Sequence, residues 1–362
     1  MSALPFPVDT RRFVQRLLRW FDSNRRPLPW RQQRNWYTTL ISEILLQQTQ
    51  VSQGLPYYYK FIERFPDIGS LAQAEEEEVL QLWAGLGYYA RARNLLKCAR
   101  QLVTRYGGQF PETLPEALAL PGIGLYTAAA MLSISHNLPY AAVDGNVLRV
   151  VSRLFEIGND TRLSSTKKQI EQIVTQLISR EHPGTFNEAL MELGALVCTP
   201  NNPQCSVCPL KEFCGAQHKG RTAELPYRSK APAKKKRRQY VLVLKNEDRF
   251  LIARRPASGL LASMWEFPTV TVDRLRDGEQ TIQAALPANM ALLKTGRPLR
   301  HIYSHIQMDY LPLLIAIHDS ALKLSGHEEY RWLQAERINA FALHRAHQKI
   351  MEAEPTRRWF NS

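Results

Sequence analysis

Apolar residues early in the chain recur at the spacing of one helical face, first as Phe13, Leu17 and Phe21 and later as Val79, Leu82, Trp83 and Leu86. The first part of the chain is therefore expected to be all-helical. The period then changes. Tyr240–Leu244 and Phe250–Ala253 flank the turn-like Asn246-Glu247-Asp248, which predicts two strands of a hairpin and a mixed α/β second domain. The longest apolar run, Leu311 to Ile317, suits a buried strand and falls well short of a membrane span. Between the two patterns lies a stretch with Lys219, Arg221, Pro226, Arg228, Lys230 and Pro232 that ends in Lys234-Lys235-Lys236-Arg237-Arg238, the composition of an exposed basic linker. The expected division is residues 1–217, a linker over 218–238, and a second domain over 239–362. A chain of 362 residues is long enough for both domains to bury a core.

Charge narrows the partners. A formal net charge of +14 and a pI near 9.7 favour a polyanion, because neutralising backbone phosphates releases counterions. With no apolar stretch of membrane-spanning length, nucleic acid is expected rather than a membrane. The acidic run Glu75 to Glu78 falls at the expected start of a helix, where carboxylates meet the positive end of the dipole, and that structural reading suffices for it.

Four of the five cysteines, Cys198, Cys205, Cys208 and Cys214, are separated by six, two and five residues. This is ligand spacing rather than disulfide spacing, and either zinc or an iron–sulfur cluster would accept four thiolates. Cys98 lies in a helical run and is expected in the core. The segment Leu120-Pro121-Gly122-Ile123-Gly124-Leu125-Tyr126-Thr127 reads as a tight turn opening a helix. Gly122 and Gly124, lacking Cβ, would let backbone N–H groups approach a phosphate at the positive end of that helix, although a plain helix connector has the same pattern. Two carboxylates are candidates for chemistry. Glu43 stands off the core stripe Leu40, Ile41, Ile44 and Leu45, beside Leu46 and Gln47, and the bland alternative is a solvated surface glutamate. Asp144, in Val143-Asp144-Gly145-Asn146, could be a helix N-cap, a catalytic group, or both.

Taken together, Ser42-Glu43-Ile-Leu-Leu-Gln-Gln-Thr49, Trp83-Ala-Gly-Leu-Gly-Tyr-Tyr-Ala-Arg-Ala-Arg93-Asn94, Leu120-Pro-Gly-Ile-Gly124, Val143-Asp-Gly-Asn146 and the four cysteines resemble the adenine DNA glycosylases of the MutY type, in the helix-hairpin-helix and endonuclease III superfamily. The resemblance covers essentially the whole chain. It implies an all-α helix-hairpin-helix glycosylase core with an iron–sulfur module, plus a C-terminal α/β Nudix-like domain. It further implies a [4Fe–4S] cluster on Cys198, Cys205, Cys208 and Cys214, and removal of adenine mispaired with 8-oxoguanine, or less efficiently guanine, in double-stranded DNA. Glu43 would be the general acid and Asp144 the ionised carboxylate facing the oxocarbenium-like sugar, with Asn146 and Tyr126 supporting both.

The same resemblance suggests Gln48 and Tyr88 as the wedge that fills the gap left by the extruded base. Thr49 and Leu86 would lie near 8-oxoguanine, and Arg26, Trp30, Arg31, Leu46, Glu188 and Met191 around the adenine. Tyr126 stands where bifunctional relatives carry a Schiff-base lysine, so a monofunctional enzyme is expected. Gly259-Leu-Leu-Ala-Ser-Met-Trp265-Glu266-Phe267-Pro268 resembles the start of a Nudix domain, but Asp273-Arg-Leu-Arg-Asp-Gly-Glu279 lacks the clustered glutamates of a magnesium helix, which leaves a recognition module. Within it, Tyr303-Ser304-His305 matches a Phe-Ser-His loop that reads the oxidised base. A monomer, a cytoplasmic or nucleoid location, and clamp or repair-protein contacts through the linker complete the expectations. The rival readings are a bifunctional glycosylase/lyase, a non-catalytic damage-binding protein and a Nudix pyrophosphatase. Tyr126, the two carboxylates and the missing acidic helix weigh against these in turn.

Overall fold

The computed structural model describes residues 8–275, 283, 286–303, 305–318 and 326–360. The chain forms two compact units, one made of residues up to Gln73 together with Lys97–Lys230, the other of Ala74–Leu96 together with the chain from Ala231 onward. The first unit thus runs on to Lys230 rather than ending at the expected 217, and the short internal segment Ala74–Leu96 joins the C-terminal unit.

The first unit is helical throughout. Phe13, Leu17 and Phe21 project from the helix Thr10–Asn24, whose N-cap Asp9 accepts the Arg12 N–H, into a core shared with Val147, Val150 and Val151 of the helix Gly145–Leu154 and Leu190 and Leu193 of the helix Pro183–Leu196. Gly194 matters at this packing, since a Cβ there would lie 2.6 Å from the Asn146 Cβ. Its absence lets the two helices close onto each other. Cys98 is fully buried, as its helical context implied. No helix among the described residues is long and apolar enough to cross a membrane.

The second unit is built on a sheet of the strands β1 (Lys235–Asn246), β2 (Arg249–Arg254), β3 (Trp265–Glu266), β4 (Thr269–Val272), β5 (Met290–Thr295), β6 (Leu299–Ile302), β7 (Ile306–Ile317) and β8 (Glu329–Gln334). The order β3-β2-β1-β7-β5 has β1 and β7 parallel, with β4 pairing β1, β6 pairing β7 and β8 pairing β2. The predicted hairpin is β1–β2, turning at Glu247-Asp248 in register Asn246↔Arg249, and the predicted buried strand is the second half of β7. Alternation along β1 sends Val241 and Val243 to one face, under the helix Arg345–Glu352, and Leu242 and Leu244 to the other.

The basic linker is shorter than composition suggested. Lys235-Lys236-Arg237-Arg238 begins β1, paired from Lys235↔Ile306 on β7. Exposed charges are tolerated in a strand whose backbone groups are paired, so composition alone could not separate linker from strand. The helix Glu76–Leu82 starts at N-cap Glu75, so the acidic run does occupy a first turn. Trp83 closes that helix, and Leu86 therefore lies beyond it, in a loop. There Gly85, Gly87 and Tyr88 all take positive φ.

Candidate active site

Glu43 is presented by the helix Trp36–Leu45, which begins in a reciprocal capping box between Asn35 and Thr38 and buries Leu40, Ile41, Ile44 and Leu45 as the sequence pattern required. Opposite it runs the helix Leu125–His136, opened by the predicted turn with Gly122 at φ +78 and Gly124 as N-cap. The small, buried Ala128, Ala129 and Ala130 keep that helix close, and Gln47 Nε2 donates to Thr127 Oγ1 at 3.0 Å. As a result Tyr126 Oη donates to Glu43 Oε2 at 2.6 Å. Burial raises the Glu43 carboxyl to about 7; the Tyr126 hydrogen bond and Arg31 pull it down, while Asp144 and Glu188 add to the rise. Burial also raises Tyr126, and Glu43 and Asp144 push it further, so its hydroxyl keeps the proton it donates.

Asp144 combines both of its anticipated roles. It caps the helix Gly145–Leu154, accepting the Val147 N–H at 2.8 Å on one oxygen and the Asn146 amide at 2.7 Å on the other. The expected contrast between one raised carboxyl and one undisturbed carboxylate is modified, because burial pushes Asp144 upward as well. The difference lies in what opposes it. Hydrogen bonds from Val147 and Asn146 and the charge of Arg149 favour the ionised form of Asp144. Arg149 in turn spans from Asn146 Oδ1 (2.9 Å) and the Gly194 carbonyl (2.8 Å) to the Cys198 carbonyl (2.7 Å).

Both carboxylates open onto one cavity of about 770 Å³, large enough for a purine nucleotide with water. Every catalytic and DNA-contact candidate from the first unit lies on it: Tyr126 and Asn146, then Arg26, Trp30, Arg31, Leu46, Glu188 and Met191, then Gln48, Thr49, Gly122 and Gly124. Gln48 is exposed at φ +56, a conformation suited to a projecting wedge. Sequence reasoning missed Glu192 and Arg34. Glu192 is 1 % exposed and takes the Arg26 backbone N–H, Nε and Nη2 at 2.8–2.9 Å together with Arg31 Nη2 at 3.1 Å, while Glu188 holds Arg31 Nε at 3.1 Å and also Arg34. Its place four residues after Glu188 on one helix was the available signal.

Leu86, Tyr88, Tyr303 and His305 belong to the second unit. Tyr88 is 44 % exposed, whereas Leu86 is buried. Tyr303 and His305 lie in the turn between β6 and β7, closed by the Tyr303 N–H on the Ile306 carbonyl at 2.8 Å. The Tyr303 ring packs on the sheet core and against His301, while His305 is exposed. Ser304 lies outside the described residues, as does most of the Asp273–Glu279 stretch.

The four cysteines converge on one small cavity that they line with Arg153 and Lys211. The buried Arg153 guanidinium donates to Cys198 Sγ at 3.3 Å and to the carbonyls of Thr199, Pro200 and Leu225, which places a fixed cation against an anionic thiolate set. Burial raises Cys208 to about 12, with the neighbouring cysteines adding to the rise, and burial pushes Cys214 in the same direction, so a metal would have to draw the protons off these two thiols.

A helical fold that aims two carboxylates into a purine-sized cavity, beside a helix opened by a glycine turn, defines a base-excision DNA glycosylase. Residues 41–180 match the family model of the HhH-GPD superfamily base excision DNA repair proteins, and residues 239–353 match the NUDIX domain. The adenine DNA glycosylase of Rattus norvegicus is 34% identical over 95% of this chain and 78% of its own length; that of Buchnera aphidicola from Acyrthosiphon pisum is 31% identical over 94% and 97%. The chain belongs to the adenine DNA glycosylase family, hydrolases of N-glycosyl bonds. Among solved structures, a thermostable thymine-DNA glycosylase matches 58% of this chain and 97% of its own at TM-score 0.52 and 29% identity. An endonuclease III–DNA complex shares the fold of the helical part at TM-score 0.50 and 24% identity, over 59% of this chain and 99% of its own.

Proposed function

We propose that the protein is a monofunctional glycosylase that removes adenine opposite 8-oxoguanine, and more slowly opposite guanine, from double-stranded DNA, leaving an abasic site. The observation that carries this reading is the unequal pair of carboxyls on one cavity, Glu43 raised to about 7 under a single hydroxyl donor and Asp144 held by two hydrogen bonds at a helix N-terminus. Glu43, still largely protonated near neutrality, gives its proton to a ring nitrogen of the extruded adenine. The C1′–N9 bond then breaks with its electron pair leaving on the base. Asp144 stabilises the positive charge that develops on the sugar, or traps it briefly as a covalent adduct, and Glu43, now ionised, takes a proton from the attacking water. Asn146 orients Asp144, and Tyr126 orients Glu43.

Around the base, Arg26, Arg31 and Glu188 supply polar contacts, with Trp30, Leu46 and Met191 as apolar walls. Gln48 and Tyr88 fill the vacated stack, Thr49 and Leu86 lie by the 8-oxoguanine, and the Tyr303–His305 turn reads its altered edge. Gly122 and Gly124 offer backbone N–H groups to a phosphate. Cys198, Cys205, Cys208 and Cys214 hold a [4Fe–4S] cluster, which supplies a rigid cross-link of the loop after the helix Pro183–Leu196. The absence of a lysine at position 126 supports the monofunctional assignment.

Single-turnover adenine release from duplexes with adenine opposite 8-oxoguanine, guanine or thymine tests the reading, with Glu43→Gln and Asp144→Asn beside the wild type. Release fastest opposite 8-oxoguanine, absent opposite thymine and lost in both variants is the expected result. Borohydride trapping of a DNA–protein adduct by the wild type would overturn the monofunctional part.

A further inference from the structure

In the acidic run Glu75–Glu78, which occupies the first turn of the helix Glu76–Leu82, one carboxylate has a more particular environment than a dipole interaction requires. Glu77 Oε2 accepts the indole Nε1–H of Trp265 at 3.0 Å, and Glu77 Oε1 accepts the backbone N–H of Ala342 at 2.8 Å. Trp265 is 2 % exposed and lies on β3, and Ala342 lies in the loop before the helix Arg345–Glu352. One side chain thus holds two separate pieces of the Nudix-like fold through charge-assisted hydrogen bonds. Gln81, one turn on, donates to the Ala340 carbonyl, and Arg254 approaches Glu76 at 3.8 Å.

Beyond this helix comes the loop that carries Leu86 and Tyr88. It is internally braced: Trp83 Nε1 and Arg91 Nη2 both donate to the Gly87 carbonyl at 3.1 Å, Gly85 N–H donates to Tyr89 Oη at 3.2 Å, and the Arg91 guanidinium lies 5.4 Å from both the Trp83 and Tyr88 rings. Past the loop, Arg93 Nη1 donates to the Ala262 carbonyl at 2.6 Å. A stiff loop is therefore tied to the Nudix-like fold on both flanks, by Glu77 and Gln81 before it and by Arg93 after it. Segment and fold belong to the same compact unit.

We propose that Glu77 is a positioning residue for mispair discrimination, fixing the Leu86–Tyr88 loop to the compact unit that also carries Tyr303 and His305, so that these residues reach the base opposite adenine in one register. The inference rests on the proposed role of these residues in reading 8-oxoguanine. Glutamine at 77 keeps the size of the side chain but replaces one acceptor with an NH₂ that faces a donor, so either Trp265 or Ala342 loses its bond. Phenylalanine at 265 removes the donor from the other side.

The test measures single-turnover adenine release opposite 8-oxoguanine and opposite guanine for the wild type, Glu77→Gln, Trp265→Phe, the double variant and the control Glu75→Gln, together with the melting midpoint of each. Losing one charge-assisted hydrogen bond should reduce the 8-oxoguanine to guanine rate ratio about tenfold in Glu77→Gln. The rate opposite guanine should hold while the melting midpoint falls by only the few degrees that one lost hydrogen bond costs, the double variant should be no worse than the worse single variant, and Glu75→Gln should keep the wild-type ratio. An unchanged ratio in Glu77→Gln overturns the proposal, as does a parallel fall of both rates with a lower melting midpoint, which would mark Glu77 as mere packing. A wild type without adenine release sinks the glycosylase reading itself, an outcome distinct from either.

Discussion

Replacing Tyr126 with phenylalanine should move the pH profile of adenine release in a direction opposite to simple loss of an active-site group. Tyr126 Oη donates to Glu43 Oε2 at 2.6 Å, a bond that favours the ionised carboxylate and so lowers a pKa that burial has raised to about 7. A hydrogen bond to a charged group contributes about 1.5–3 kcal/mol, and one pH unit corresponds to about 1.4 kcal/mol. Removing the hydroxyl should therefore raise Glu43 by a further 1 to 2 units, roughly. The sign follows from the reaction: the acid must be protonated, so release is at its plateau below the Glu43 pKa and falls about tenfold per unit above it. At pH 8 the wild type should keep about a tenth of its plateau rate, and Tyr126→Phe about half or more of its own. Single-turnover release from an adenine:8-oxoguanine duplex between pH 5.5 and 9.5, conditions chosen to bracket both limbs, reads the midpoint directly. A midpoint that stays put or moves to lower pH would refute the assignment of Glu43 as the proton donor under Tyr126.

Three further outcomes are expected. Asp144→Asn should lose adenine release by about a hundredfold or more while leaving thermal stability nearly unchanged, because asparagine caps a helix about as well as aspartate; a matching drop in stability would show that Asp144 acts only as a cap. Burial acts to raise Glu192, but hydrogen bonds from Arg26 and Arg31 win and hold it at about 2, so its pairing stabilises the fold above about pH 4.5 and is lost as pH falls toward 2; that shift is worth ~3 kcal/mol, and urea melts across this window should lose their acid slope in Glu192→Gln. Cys208→Ser should lower bound iron per chain and open residues 198–218 to limited proteolysis, with the helical circular dichroism largely kept; unchanged iron would remove Cys208 from the ligand set.

Local signals in the sequence determined a good deal of this protein. The 3.6-residue spacing of Phe13, Leu17 and Phe21, the hairpin around Glu247-Asp248 and the glycine turn before Tyr126 all follow from near-neighbour chemistry and are found as read, and the four closely spaced cysteines line one cavity. What needed the tertiary structure were the relations between distant positions. Basic composition could not distinguish a linker from the first residues of β1, because the partner that makes it a strand, Ile306 onward, lies some seventy positions away. The Glu43 and Asp144 motifs identified two candidate acids, but their unequal environments come from Tyr126, Val147 and Asn146 and from burial that only the packed helices create. Glu192 and Glu77 left almost no local trace for the same reason. A buried carboxylate is defined by the donors that surround it, and those donors come from across the fold.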